Sequence, residues 1–191
     1  VPDTVRPVQL VWPAAAYLPG YVDALLRGWS PDHLNPQAAS EELQAITRDA
    51  AAFLSRLVDQ AAAGQPIALA GGGIVPRLPG FRRWLWDGEF CGSIGLRWLP
   101  GSSTLPAYCP GHIGYSVVAW KRRRGYATAA LRALLPEARA LGLDHVEITT
   151  DSINEPSQRV ILANGGVLVE RRRDPQSPEA VEPLRFRIDF T

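Results

Sequence analysis

Residues 112 to 141 constrain the fold of this chain more than any other stretch. From Ile113 to Trp120, β-branched and aromatic residues favour an extended strand. From Tyr126 onward, Ala127, Ala130, Leu131, Leu134, Leu135, Ala138 and Leu141 recur at helical spacing. Between them lies Lys121-Arg122-Arg123-Arg124-Gly125, a short basic turn. A strand, a tight turn and a helix in that order leave the first helical amides without partners, and the helix dipole adds positive charge at the same end. Such a turn is an anion site, suited to phosphate. Gly125 and Ala127 keep the backbone approachable, while Arg122, Arg123 and Arg124 add field and donors.

The spacing Arg122-x-x-Gly125-x-Ala127 resembles the (Gln/Arg)-x-x-Gly-x-(Gly/Ala) signature of the GNAT superfamily of N-acetyltransferases. The resemblance extends to the strand before the turn, the helix after it, a second strand from His145 to Thr150, then Asn154 and a short helix ending near Gly165-Gly166. It spans the second half of the chain. It implies an α/β fold, α+β in its mixture: a central mixed, mostly antiparallel sheet with a splayed parallel strand pair, flanked by helices. Residues 1–191 then form a single acyl-CoA N-acyltransferase domain. Within it, 1–111 is the variable acceptor half, 112–166 the cofactor-binding core and 167–191 the closing strands.

Composition fits such a domain. A chain of 191 residues with 46% hydrophobic and 20% charged residues can bury a substantial core. A net charge of +1 supplies no basic excess for a nucleic-acid partner; the basic residues are instead local, at 121–124 and 171–173. Lys121 is the single lysine among 20 basic residues, an arginine bias that points to a GC-rich, bacterial coding sequence. Cys91 and Cys109, with no signal peptide and no apolar run of membrane-spanning length, lead us to expect a cytoplasmic protein with no membrane partner. Too few ligands cluster to suggest a metal.

Along the rest of the chain, Val8 to Trp12 reads as a strand and Tyr17 to Trp29 as a helix stopped by Ser30-Pro31. Apolar residues from Leu43 to Ala61 at helical spacing predict one long helix from Ser40 to about Ala63. Ile67 to Gly80 reads as loop or irregular edge strand; its Gly71-Gly72-Gly73 lacks the Gly-Lys-Ser/Thr of a phosphate loop. Asp87-Gly88 between two aromatic-rich runs, Phe81 to Trp86 and Glu89 to Leu99, predicts a β-hairpin. Gly101 to Gly111 is a loop, Pro136 should kink the long helix, and Gly142 ends it. Val167 to Arg172 and Leu184 to Phe190 read as closing antiparallel strands joined by a Pro- and Glu-containing loop.

The resemblance also implies site roles. Backbone groups of Val117, Val118 and Ala119 would pair with pantetheine, and the amides from Arg123 to Thr128, Tyr126 included, would hold the pyrophosphate of acetyl-CoA. Asn154 and Ser157 fall where the family places polar cofactor contacts, although Asn154 is equally suited to cap its helix. The reaction implied is direct acyl transfer from the thioester to a primary amine of a small molecule or peptide, and a homodimer is compatible with the family. A non-catalytic acyl-CoA-binding module is the alternative. Direct transfer needs a base for the ammonium and a donor for the departing thiolate. The tyrosine that the family often uses as donor is replaced by Ile161, which leaves Tyr115 as candidate acid. His112, whose unperturbed pKa of about 6.5 suits a base, is the first candidate proton acceptor, with Glu147 and Glu89 as rivals. His112 also stands three residues from Cys109, which keeps a covalent route through that thiol in view.

Overall fold

The computed structural model describes residues 7–32, 35–69, 72–172 and 181–190. Gly71, Arg173 and most of the loop expected before the last strand lie outside these residues. Strand β1 is Gln9–Val11, and helices α1 (Leu18–Leu26), α2 (Ala38–Arg48) and α3 (Ala50–Arg56) follow. Short strands β2 (Val58–Asp59), β3 (Ile67–Ala68) and β4 (Ile74–Val75) lead to the hairpin β5 (Gly80–Trp86) and β6 (Phe90–Arg97). Then come β7 (Ile113–Val117), a single 3₁₀ turn (Ala119–Lys121), α4 (Tyr126–Ala140), β8 (His145–Asp151), α5 (Glu155–Leu162), β9 (Val167–Arg171) and β10 (Pro183–Asp189).

The sheet is split where the site will lie. One antiparallel sheet runs β1-β5-β6-β7, with β2 also on β5; a second runs β8-β10-β9. Among the described residues no ladder joins β7 to β8. They are stitched together at their start, where His112 N donates to Glu147 O at 2.7 Å and Glu147 N donates to His112 Nδ1 at 2.9 Å. Gly92 on β6 has φ 148°, and a Cβ there would come within 2.1 Å of Ser116 O, so only glycine lets β6 close on β7 at this point.

Each face of the sheets is covered by helices. On one side α1 and α3 enclose an aromatic core in which Tyr21 stacks on Trp84 with centroids 4.6 Å apart, beside Phe90, Trp29 and Phe53. On the other, α4 and α5 bury Leu131, Leu134 and Ile161 against Ile94, Ile148 and Phe186. Each fully buried large apolar side chain contributes about 1.5–3 kcal/mol, so the two clusters hold the layers together.

One expectation is corrected. The long helix from Ser40 to Ala63 breaks at Asp49, whose backbone is extended (φ −160°, ψ 97°) so that its carboxylate can cap Ala52 N. The chain then leaves the helix at Leu57 to pair β2 with β5, and the Asp59 carboxylate gathers Ala63 N (2.8 Å) and Gly64 N (3.0 Å). Within the segment read as loop or irregular edge strand, the described residues form the short β3–β4 pair. The hairpin on Asp87-Gly88, the helix from Tyr126 and the strand at His145 form as the spacing indicates, and α4 runs on through Pro136.

Candidate active site

The basic turn is held from both ends by one carboxylate. Lys121 precedes Arg122–Gly125 and Tyr126 follows it, and both reach Asp87 at the hairpin tip. Lys121 Nζ donates to Asp87 Oδ1 at 2.7 Å, and the Tyr126 hydroxyl donates to Oδ2 at 2.6 Å. Lys121 is buried and also meets the exposed Glu89 at 3.0 Å. Burial alone would push the Asp87 carboxyl up, but the bonds from Lys121 and Tyr126 outweigh it and hold the group at about 2.

Between these anchors the backbone passes through left-handed conformations at Arg123 (φ 63°) and Gly125 (φ 76°). A Cβ on Gly125 would meet nothing within 4 Å, so the position demands the positive φ and open space beside the amides. Ala129 N is the donor to Gly125 O, at 3.0 Å, and the amides before it in the first turn have no intrahelical acceptor. Helix α4 starts with no side-chain cap and no acidic residue in its first turn. Its positive end is open to an anion. Arg122, Arg123 and Arg124 are exposed around it, Arg122 Nε donating back to Val117 O at 3.2 Å, while Ala127 and Thr128 are half-buried.

Val117, Val118 and Ala119 continue from the split edge of β7 into this turn. Val118 N donates to Cys91 O at 3.0 Å with its side chain fully buried, and Ala119 is exposed. Tyr115 reaches across the split to α5, its hydroxyl 2.8 Å from Ser157 Oγ and donating to Ser157 O at 3.3 Å. Burial pushes this phenol up to about 12, and the Ser157 bond offsets only part of that. Asn154 Oδ1 accepts from Ser157 N at 3.2 Å, so the capping role is present. Ile161 is fully buried in the core.

His112 does not fit the part of base. It is fully buried, its Nδ1 is occupied by the Glu147 amide, and its Nε2 has no partner among the described residues. Burial, helped by His145 and Arg97, lowers its pKa to about 4, so the ring is a neutral strut between the two sheets. Glu147 is the candidate at the cleft: it lines the cleft wall, half-buried, with its carboxylate 3.3 Å from Arg185. Glu89 belongs to the Lys121 anchor instead. Cys91 is buried beside Lys121, and burial pushes its thiol up to about 12. Cys109 lines the cleft with Sγ 3.6 Å from Gly111 O, and His112 is turned to Glu147 rather than serving as its base.

The cleft itself has a volume of about 940 Å³ and takes in Tyr115, Ser116, Asn154, Ser157 and Glu147 at the split between the sheets. Sequence reasoning read Asp87 only as a turn residue and passed over Lys121. That Lys121 is the single lysine in an arginine-rich chain was the available signal. Among the described residues no group of three or more His, Cys, Asp or Glu could hold a metal, and no helix is long and apolar enough to cross a membrane.

The sequence matches the family described as acetyltransferase (GNAT) domain over residues 23–167. The chain belongs to the GNAT acetyltransferase family. Solved structures share its fold. A ribosomal L7/L12 α-N-protein acetyltransferase in complex with coenzyme A aligns over 100% of this chain and 97% of its own, with TM-score 0.63 and 13% identity. The microcin C7 self-immunity acetyltransferase in complex with acetyl-CoA and AMP covers 96% and 92%, with TM-score 0.61 and 13% identity. An acetyltransferase from Agrobacterium tumefaciens covers 96% and 91%, with TM-score 0.57 and 21% identity. No curated protein matches the sequence.

Proposed function

We propose that this chain is a single-domain N-acetyltransferase that moves the acetyl group of acetyl-CoA directly to a primary amine. The observation that carries it is the uncapped start of α4, with Gly125 in open space, placed where β7 and β8 part. In this reading the amides from Arg123 to Thr128 take the pyrophosphate, with Arg122 to Arg124 adding charge. The backbone from Val117 to Ala119, where the chain leaves β7 for the turn, pairs with pantetheine, which Asn154 and Ser157 border from α5. Acetyl-CoA supplies an activated acyl group that needs only a nucleophile, a proton acceptor and a donor.

Tyr115 takes the donor part. Its phenol stays protonated at neutral pH, and it points to the α5 side of the split, so it can donate to the leaving thiolate in place of the tyrosine that Ile161 replaces. Glu147 takes the acceptor part, the carboxylate nearest the parting of the strands that faces the cleft. A general base contributes about 10²–10⁴-fold. The test is calorimetric titration with acetyl-CoA, followed by coenzyme A release across a panel of amines. Tight binding with amine-dependent release supports an enzyme; binding without release for any amine favours a non-catalytic acyl-CoA module.

A further inference from the structure

Part of the sheet face turned toward α1 floors the cleft. Register places three rows there: Trp84, Ser93 and Ser116; then Arg82, Gly95 and Gly114; then Gly80 and Arg97. Gly95 and Gly114 have no positive φ, and a Cβ on either would meet no atom nearer than 3.4 Å. Glycine weakens a strand interior, so neither backbone conformation nor crowding accounts for this side-by-side pair. What the pair provides is space against the backbone. At one end Ser93 is only 4% exposed, lines the cleft, and has no hydrogen-bond partner for its hydroxyl among the described residues. Its hydroxyl is therefore turned to the cleft and free to bond a ligand there. Ser116 stands opposite it in register, its Oγ accepting from Trp29 Nε1 at 3.0 Å, so its own proton is free to be donated.

At the other end stands Arg97. Its Nε donates to Gly111 O at 2.8 Å, and one terminal nitrogen lies 3.8 Å from where a Gly114 Cβ would be. No carboxylate pairs with it among the described residues, so the outer edge of an oriented guanidinium faces the cleft. That edge is shaped for the two oxygens of a carboxylate or phosphate.

We infer that this floor is the acceptor subsite, and that it takes a primary amine carrying an anionic oxyacid group, with the amine at Ser93 and Ser116 and the anion on Arg97. The inference rests on the acetyl-transfer reading, which makes the row beside Val117 the reacting end. Along a strand, Arg97's guanidinium over Gly114 stands two residues from Ser116, about 7 Å at the usual rise. A dipeptide holds its free carboxylate at about that distance from its amine, at up to 3.3–3.6 Å per residue.

The probes are glycylglycine and 3-aminopropyl phosphate, each against its neutral counterpart, glycylglycine amide and 3-aminopropanol. They are compared by coenzyme A release and by ligand-observed NMR with the coenzyme A-loaded protein. A charge-assisted pair predicts about a tenfold or larger advantage for the anionic member, expressed in KM. Arg97→Gln should bring that ratio close to one, and Arg97→Lys, which keeps charge without the fork, should restore part of it. Gly114→Val, which fills the floor, should raise the amine KM far more than the acetyl-CoA KM. A preference for carboxylate alone, phosphate alone or both supports the subsite and separates the two sources. Equal use of charged and neutral amines, or a preference that survives Arg97→Gln, overturns it. If none of the amines is turned over, the failure belongs to the transfer reading. NMR then still decides the subsite: Arg97-dependent binding of the charged probes supports it, and no binding overturns it.

Discussion

Replacing Asp87 with asparagine tests whether the pyrophosphate turn is clamped as the geometry indicates. The substitution keeps the side chain's shape and removes its charge, leaving buried Lys121, among the described residues, with the exposed Glu89 as its remaining carboxylate. Removing one partner of a buried ion pair costs about 3–5 kcal/mol when the other charge is stranded, and Glu89 lowers that toward the bottom of the range. The depressed carboxyl of Asp87, held down by the same Lys121 bond, leads to a similar figure. Its folded pKa is about 2 against an ordinary 3.8, a difference worth roughly 2 kcal/mol, since one unit is about 1.4 kcal/mol. The two estimates converge on about 2–3 kcal/mol.

The sign with pH is fixed by the direction of the shift. Asp87 has a depressed folded pKa, so its stabilisation is fully present above an ordinary carboxylate pKa and is lost as pH falls toward 2. Urea denaturation of the parent and Asp87→Asn at pH 7 should therefore differ by about 2–3 kcal/mol, and the gap should narrow as the pH falls below about 4. Affinity for acetyl-CoA should fall alongside, because both ends of the turn lose their tether. A variant within 0.5 kcal/mol of the parent at pH 7, or a gap independent of pH, would refute the clamp; roughly that margin is what an ordinary surface substitution costs.

Gly125→Val should lose acetyl-CoA binding by calorimetry while still folding, since a β-branched residue resists φ 76° and its side chain enters the space beside the open amides. Glu147→Gln should lower turnover by at least about 100-fold with acetyl-CoA affinity retained, and Tyr115→Phe should lower turnover at saturating substrates. His112→Gln should change stability more than turnover. Burial holds the parental ring neutral with a pKa near 4, so the parent should lose about 3 kcal/mol of stability between pH 6.5 and 4, an acid limb the variant lacks. Intact mass after mixing with acetyl-CoA should show no acetyl adduct on Cys91 or Cys109, because Cys91 is a buried thiol with a pKa near 12 and, among the described residues, no base is bonded to Cys109.

What was legible in the sequence followed local rules. The strand to Val117, the turn at Gly125 and the helix from Tyr126 are adjacent in the chain, so periodicity and one glycine suffice to place an anion site. The hairpin at Asp87-Gly88 was legible for the same reason. The break at Asp49 was not, because the apolar stripe continues past it and only the pairing of β2 with β5, a tertiary event, draws the chain away. His112 misled because an imidazole at a strand entry looks the same in sequence whether it faces solvent or joins two sheets. Its burial depends on Glu147, far along the chain and brought beside it by the crossover through α4.

The two faces of the split divide the labour by strand alternation alone. On β7, Tyr115 and Ser116 are neighbours whose side chains point opposite ways, one to Ser157 on α5 and the other to Trp29 beyond α1. A thioester lying in the split would thus meet a proton donor on the face where its sulfur leaves and an open glycine floor on the face where the nucleophile arrives. Shifting β7 by one residue against β6 would exchange those faces, putting Tyr115 among the acceptor side chains and emptying the donor position. Gly92 permits the register that is present, because Ser116 O sits where any side chain at position 92 would have to go. A residue with no side chain thus lets β6 and β7 close in the register that sets Tyr115 and Ser116 on opposite faces.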